Sequence, residues 1–328
     1  MKHLLSIQAA EEVWPLKQPF RISRGSRTEA RLIVAIVGDG EHIGRGEAVP
    51  IRRYSQTTDS ALAQIESIKN ERNLDRTRLQ TLLPPGVARN ALDCALWDWE
   101  AKISGKRVWE LANLEVLPEV ETSFTISLDT PDKMAADTRT NANAPILKLK
   151  LRGDDLDFAR VEAVRAAGPA PRLLVDANES WSPDHYRKIV PELKRLGVEL
   201  IEQPFPANAD EALEKLDHPI PICADESCHT GADLPRLTNR YDVVNVKLDK
   251  TGGLTEALHL CERAREQGFK LLIGCMVGTS LSMAPARLLA SIADYVDLDG
   301  PLLLARDRDH GLNYQNGKID IHSRELWG

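Results

Sequence analysis

Six charged residues each close an apolar run: Lys150, Asp176, Glu202, Asp225, Lys247 and Asp297. The steps between them are 26, 26, 23, 22 and 50 residues, and Gly274 divides the last into 27 and 23. Asp176, Glu202 and Asp225 offer only oxygen donors, a set that favours Mg2+, with Mn2+ as a substitute, over zinc. Mg2+ seldom takes an all-protein cage, so water or a substrate carboxylate is expected to complete its shell. Removing the proton beside such a carboxylate leaves an enediolate dianion, which a bound divalent cation stabilises. The base for that step has to be unprotonated near neutral pH. Bringing a lysine from about 10.4 to about 8 corresponds to roughly 3 kcal/mol. Burial, a second lysine and a nearby cation all act in that direction.

The elements that place these residues follow from the spacing. Steps of this length are what a β-strand and its returning helix consume, so the chain reads as a repeated βα unit. Repeated parallel units close into a barrel, with chemistry at the C-terminal strand ends. The predicted barrel strands are residues 121–127, 146–151, 173–176, 199–202, 219–225, 242–248, 271–274 and 295–299, and the clearest helix is 254–267. Gly168, Gly197 and Gly268 stand between helix and strand, where a left-handed residue is expected. Side chains alternate along a strand, so Leu147, Leu149 and Leu151 share one face while Ile146, Lys148 and Lys150 share the other. Val244, Val246 and Leu248 oppose Asn245, Lys247 and Asp249 in the same way. The apolar faces should meet the helices, which aims the lysines into the barrel. Lys150 and Lys247 come from the second and sixth strands and so face each other across the mouth. One can take a proton from one face of a carbon while the other returns it to the opposite face, inverting a stereocentre. Glu226, next to Asp225, is expected to point away; Asn178, in phase with Asp176, is expected beside the site.

The chain has 328 residues, 42% hydrophobic and 28% charged, enough for one barrel and a smaller domain. A net charge of −7 and the lack of a basic stripe argue against nucleic-acid binding. Five scattered cysteines without a CxxC spacing read as reduced thiols of a cytoplasmic protein. No signal-peptide run opens the sequence and no stretch has the length of a membrane span. Residues 1–115 break the βα rhythm and read as an α+β domain. Its expected strands are 6–14, 31–37 and 44–49, its helices 59–69 and 87–104, and its polar loops 22–27 and 50–57. Residues 116–304 form the barrel, and the tail 305–328, with a short strand at 318–322, is expected to return to the first domain.

The runs Lys148-Leu149-Lys150, Val175-Asp176-Ala177-Asn178, Ile201-Glu202-Gln203-Pro204, Ala224-Asp225-Glu226-Ser227 and Val246-Lys247-Leu248-Asp249 together resemble the enolase superfamily, in its muconate-lactonizing-enzyme subgroup. That superfamily pairs a lysine or histidine base with Mg2+. The resemblance implies a (β/α)7β barrel under an N-terminal capping domain, metal ligands Asp176, Glu202 and Asp225, acid/base lysines Lys150 and Lys247, and Lys148 as electrostatic support. Within the subgroup the chain most resembles the L-Ala-D/L-Glu dipeptide epimerases, through residues 247–257, residues 224–229 and Asp297-Leu298-Asp299. This implies a small-molecule dipeptide substrate, its ammonium held by Asp297 and Asp299 and its glutamate side chain by Arg24, with Thr125 also at the substrate. Self-association stays open. So do o-succinylbenzoate synthase, cycloisomerase and N-acylamino acid racemase activities on the same scaffold. Schiff-base chemistry on a lysine and cation binding without catalysis are the competing classes. The chain departs from the pattern at Arg53-Tyr54-Ser55-Gln56, where Gly-Glu is expected after the tyrosine, and at Gly278 and Leu281, where larger and basic residues are expected around the pocket.

Overall fold

The computed structural model describes residues 5–328, so the first four residues of the N-terminal segment read above lie outside the described residues. Three antiparallel strands open the fold: β1 (Ser6–Ile22), β2 (Gly25–Gly38) and β3 (Ile43–Ala48). The helix Val87–Ser104 lies directly on this sheet. It can do so because β3 carries Gly44 and Gly46: a Cβ at Gly46 would stand 2.1 Å from the Ala91 carbonyl oxygen. Glu47, between these small residues and Ala48, turns to the barrel, where its carboxylate accepts from Thr279 N at 2.7 Å and Arg308 Nε at 3.0 Å.

The predicted loop at residues 22–27 is mostly strand. The β1–β2 hairpin pairs as far as Ile22 with Gly25, leaving only Ser23 and Arg24 in the turn. Polar residues masked this strand because its tip covers the barrel mouth, where apolar alternation is not required. The segment 50–57 contains a single 3-10 turn, Arg52–Tyr54, and the helices around it are Thr58–Ser67 and an unpredicted Arg76–Leu82.

Strand β4 (Glu119–Glu121) precedes eight parallel strands: β5 (Ser123–Ile126), β6 (Ile146–Lys150), β7 (Arg172–Asp176), β8 (Val198–Glu202), β9 (Ile222–Ala224), β10 (Val243–Val246), β11 (Lys270–Gly274) and β12 (Tyr295–Asp297). They lie side by side in chain order. The edge strands meet through Leu298 N donating to Thr122 Oγ1 at 2.8 Å, Thr125 N to Asp299 Oδ2 at 2.6 Å and Ser123 Oγ to Asp297 Oδ1 at 2.5 Å. The fold is a (β/α)7β barrel with an α+β capping domain. The first predicted barrel strand is divided: Glu121 belongs to β4, which pairs with the tail strand β14 (Lys318–Asp320), itself paired with β13 (Tyr314–Gln315). The tail's last residues bond to the helix Val87–Ser104, Trp327 Nε1 to Cys94 O at 3.0 Å and Gly328 N to Asp98 Oδ1 at 2.7 Å.

Alternation sorts the barrel into two apolar regions. Leu147, Leu149 and Leu151 join the layer between strands and helices, with Val244, Val246 and Leu248. Ile146, Leu174, Leu200, Cys223, Val243 and Leu272 fill the interior below the charged residues. Gly197 and Gly268 take the expected positive φ, +73° and +84°. Gly168 does not; its φ is −140°, because its helix ends without a left-handed residue. No described helix is long and apolar enough to cross a membrane.

Candidate active site

The barrel places a charged layer directly above its apolar interior. Lys150 pairs with Asp176 across β6 and β7, and Asp176 with Glu202 across β7 and β8, after a register shift between Leu173 and Leu174. Asp225 follows the end of β9. Asp176, Glu202 and Asp225 thus stand at the C-terminal ends of three neighbouring strands, all buried. Four lysines hold them. Lys148 Nζ lies 2.6 Å from Glu202 Oε2, 2.7 Å from Asp297 Oδ2 and 3.5 Å from Asp176 Oδ2. Lys150 Nζ donates to Asp176 Oδ2 at 2.5 Å, and Lys247 Nζ to Asp225 Oδ2 at 2.6 Å. Lys250, missed in the sequence, donates to Asp225 Oδ1 at 2.7 Å and to the carbonyls of Asp225 and Asn245. It sits one turn beyond Lys247, on the short helix Leu248–Thr251, and the turn brings it back to the mouth. The same turn takes Asp249 away from the barrel interior: it accepts from Val49 N and Asn90 Nδ2 of the cap.

Lys150 and Lys247 line one cavity from β6 and from the end of β10. Three strands lie between β6 and β10 in either direction around the barrel, so the two amines face each other with the carboxylate trio between them. The expected lowering does not hold for Lys247. Burial disfavours the Lys247 ammonium, but Asp225 beside it prevails and holds it above the ordinary lysine value. Burial likewise opposes charge on Lys148, and Asp297 and Glu202 raise it well above that value. The reciprocal effect, again against burial, keeps Asp225 far below the usual carboxylate range through Lys247 and Lys250.

Six buried carboxylates, Asp176, Glu202, Asp225, Glu226, Asp297 and Asp299, meet four lysines at the mouth. Crowding of buried carboxylates has visible effects. Burial and then Asp176 raise Glu202. Burial and then Asp225 push Glu226 to about 7. Burial and then Asp297 push Asp299 to about 6. Glu226 Oε2, Asn178 Oδ1 and Asn245 Oδ1 are buried without a hydrogen-bond partner among the described residues. Among the described residues, no three His, Cys, Asp or Glu side chains converge into a ready coordination sphere. In the trio the lysine ammoniums take the oxygens a cation would use. All-oxygen donors and the orphaned acceptors beside them fit a hard divalent cation at Asp176, Glu202 and Asp225.

Glu226 corrects the strand-based expectation. It faces the cavity, because β9 ends at Ala224 and alternation stops there. Gln203 shapes this end of the barrel: its Oε1 accepts from Asp225 N at 2.9 Å and Ser227 N at 3.0 Å. The sequence reading takes in Gln203 only as part of the run Ile201-Glu202-Gln203-Pro204, with no role of its own. Asp297 and Asp299 both reach the cavity, but Asp299 lies beyond the strand and accepts from Thr125 N. Thr125 lines the cavity as well. Arg24 is also at the cavity, held by the protein: it donates to Glu226 Oε1 at 2.6 Å, Glu179 Oε2 at 3.0 Å and Asn178 O at 2.8 Å. Arg53 and Tyr54 line the rim; Arg53 grips Glu179 at 2.9 and 3.1 Å. Gly278 and Leu281 do not line the pocket. Leu281 is fully buried, and Gly278 packs against Glu47.

Two family models cover most of the chain: the mandelate racemase / muconate lactonizing enzyme N-terminal domain matches residues 5–112, and the enolase C-terminal domain-like family matches residues 133–325. The chain belongs to the mandelate racemase / muconate lactonizing enzyme family of the enolase superfamily. It is 45% identical over 320 residues to the L-Ala-D/L-Glu epimerase of Escherichia coli K12, covering 96% of this chain and 99% of that one. It is 46% identical over 301 residues to an N-acetyl-D-glutamate racemase from Pseudoalteromonas, covering 90% and 95%. Among solved structures, an enolase family member from Agrobacterium tumefaciens with homology to dipeptide epimerases, holding sodium and L-Ala-L-Glu, superposes with a TM-score of 0.95 at 46% identity over 99% and 100% of the two chains. The Cytophaga hutchinsonii dipeptide epimerase, complexed with Mg and D-Ala-L-Val, does so with 0.91 at 28% identity over 98% and 94%. The protein of this family described here is an enzyme of the isomerase class, among racemases and epimerases.

Proposed function

We propose that this enzyme is a Mg2+-dependent dipeptide epimerase of the L-Ala-D/L-Glu type, inverting the α-carbon of the C-terminal residue. The observation that carries the reading is the placement of Lys150 and Lys247 on opposite walls of one cavity, flanking three carboxylates. Asp176, Glu202 and Asp225 would hold the cation, with Mn2+ as a substitute. Bound there, Mg2+ supplies a positive charge for the substrate carboxylate and for the negative charge that grows beside it as the α-proton leaves.

The remaining work belongs to the chain. Lys150 meets one face of the α-carbon and Lys247 the other; one removes the proton, and the other, as an ammonium, delivers one to the opposite face. Each lysine bonds an oxygen of a proposed ligand, so an ammonium and a bound cation would compete for it. Lys148 stays charged and fixes Glu202 and Asp297. Asp297 and Asp299 form the acidic wall opposite the trio, suited to the dipeptide's ammonium. Cycloisomerisation and o-succinylbenzoate formation use substrates without that ammonium, so this wall speaks against them. The two capping segments seal the mouth through Arg24 and Arg53 on Glu179.

The test is incubation with L-Ala-L-Glu and Mg2+ in D2O. Deuterium at the glutamate α-carbon together with L-Ala-D-Glu is the expected result, and both should vanish in EDTA and return with Mg2+. Turnover that persists without a divalent cation, or a borohydride-trapped substrate on a lysine, would refute the proposal. A second reading, racemisation of an N-acylated glutamate, is favoured by one feature: Asp297 is already bonded to Lys148 and Ser123. N-acetylglutamate is therefore the comparison substrate.

A further inference from the structure

We infer, on the two-lysine reading above, that Asp249 is a positioning residue for Lys247 and acts by docking the turn after Lys247 onto the capping domain. The barrel itself places one of the two amines; the cap places the other.

The two lysines stand in different backbone settings. Lys150 is the last residue of β6 and still lies in the ladder, paired with Asp176. The next amide, Leu151 N, donates to Asp176 O at 2.9 Å. Among the described residues, no hydrogen bond joins the cap, residues 1–115, to residues 146–157. Lys247 lies one residue past β10, whose ladder with β11 ends at Val246 and Ile273. Its direction is set by the turn that follows, the short helix Leu248–Thr251, where the Lys247 carbonyl accepts from Lys250 N and Thr251 N at 3.0 Å each. No strand neighbour fixes such a residue, so whatever holds the turn holds the amine.

On the barrel side, Lys250 ties the turn to Asp225 and Asn245. On the outer side, the cap holds it. Asp249 Oδ1 accepts from Val49 N, just past β3, at 2.8 Å and from Asn90 Nδ2, on the helix Val87–Ser104, at 2.9 Å. Arg89, beside Asn90, donates to Thr251 O at 2.6 Å and Gly252 O at 3.2 Å. One helical turn along, Asp93 accepts from Thr255 N at 2.9 Å. Gly253 lets the cap helix come this close: its φ is +117°, and a Cβ on it would stand 2.4 Å from the Asp93 Cβ. Among the described residues, Asp249 is the one side chain of the turn that hydrogen-bonds to the cap. Asp249, Asn90 and Arg89 are buried, so losing a partner leaves an unpaired group rather than a hydrated one. The consequence is specific to one face of the substrate carbon. Breaking the Asp249 contact frees the turn that carries Lys247, while Lys150 keeps its ladder. A displacement of about 1 Å at a reacting group costs about 100-fold in rate.

The test follows α-hydrogen exchange of L-Ala-L-Glu and L-Ala-D-Glu separately, with Mg2+ in D2O, for the wild type, Asp249→Ala, Asp249→Asn and Asn90→Ala, each checked for an unchanged circular dichroism spectrum. The isomer served by Lys247 is the one that Lys247→Ala no longer exchanges. Asp249→Ala should slow exchange of that isomer about 100-fold, and epimerisation with it, while the other isomer exchanges at the wild-type rate. Asn90→Ala, which spares the bond from Val49 N, should slow the same isomer about 10-fold. Asp249→Asn keeps the accepting oxygen and should retain most of the rate; burial already pushes the Asp249 carboxyl up to about 7, so a neutral amide is a close stand-in. If Asp249→Ala does not fold, Asn90→Ala carries the same comparison. Equal slowing of both isomers, or no slowing of either, would overturn the positioning role and leave the two-lysine reading standing. So would an Asp249→Asn enzyme as slow as Asp249→Ala, which would make charge rather than placement the cause. A wild type that exchanges neither isomer, or lysine variants that do not keep opposite isomers, would overturn the two together.

Discussion

Asp297→Asn is the substitution that separates a dipeptide from an N-acylated amino acid as substrate. In the wild type, Asp297 Oδ2 accepts from Lys148 at 2.7 Å and Oδ1 from Ser123 at 2.5 Å. Asparagine keeps the shape and one acceptor but removes a negative charge from the wall facing the ammonium. Lys148 retains Glu202 at 2.6 Å and Asp176 at 3.5 Å, so the buried ammonium is not orphaned and the fold should persist. A hydrogen bond between charged groups contributes about 1.5–3 kcal/mol, so kcat/KM for L-Ala-L-Glu should fall about 10- to 150-fold. N-acetyl-L-glutamate carries no ammonium, and its kcat/KM, or its Ki as a competitive inhibitor, should not change. The assay is α-deuterium incorporation by mass spectrometry at varied concentrations of each compound. A parallel loss for both would mean that Asp297 acts only through Lys148, and an unaffected Ala-Glu would remove Asp297 from the substrate site.

Two further outcomes concern the frame around the site. Burial pushes His322 down to about 3, and neither ring nitrogen has a partner among the described residues. The unfolded chain binds this proton near pH 6.5, so stability should fall as pH drops from about 6.5 towards the folded value, by about 1.4 kcal/mol per unit. His322→Phe should flatten the dependence of melting temperature on pH in that window, and an unchanged slope would contradict the assignment. Gly46→Ala places a Cβ 2.1 Å from the Ala91 carbonyl oxygen, on backbone that cannot swing away. It should lose about 3 kcal/mol of stability, read from the urea midpoint; an unaltered midpoint would show that helix Val87–Ser104 shifts freely on its sheet.

What the sequence disclosed is what alternation and spacing control. Lys148 and Lys150 share a face because β6 is an uninterrupted strand, and the trio sits level because the strands are parallel and short. Legibility fails where the chain leaves a strand. Glu226 and Lys250 lie two and four residues past strand ends, where a turn rather than alternation sets direction. The β1–β2 hairpin hid its strands because its tip answers to the barrel mouth. Arg24 could be named as a pocket arginine, but its partner Glu226 stands 202 residues away, a pairing no local pattern carries.

The central claim is that Lys150 and Lys247 serve opposite faces of one carbon. It is tested most directly by following α-hydrogen exchange of L-Ala-L-Glu and L-Ala-D-Glu separately in D2O with Lys150→Ala and Lys247→Ala. Each variant should fail to epimerise yet exchange one isomer only, and the two variants should keep opposite isomers. If either variant exchanges both isomers, or both variants lose exchange of both isomers equally, the two-faced arrangement is wrong.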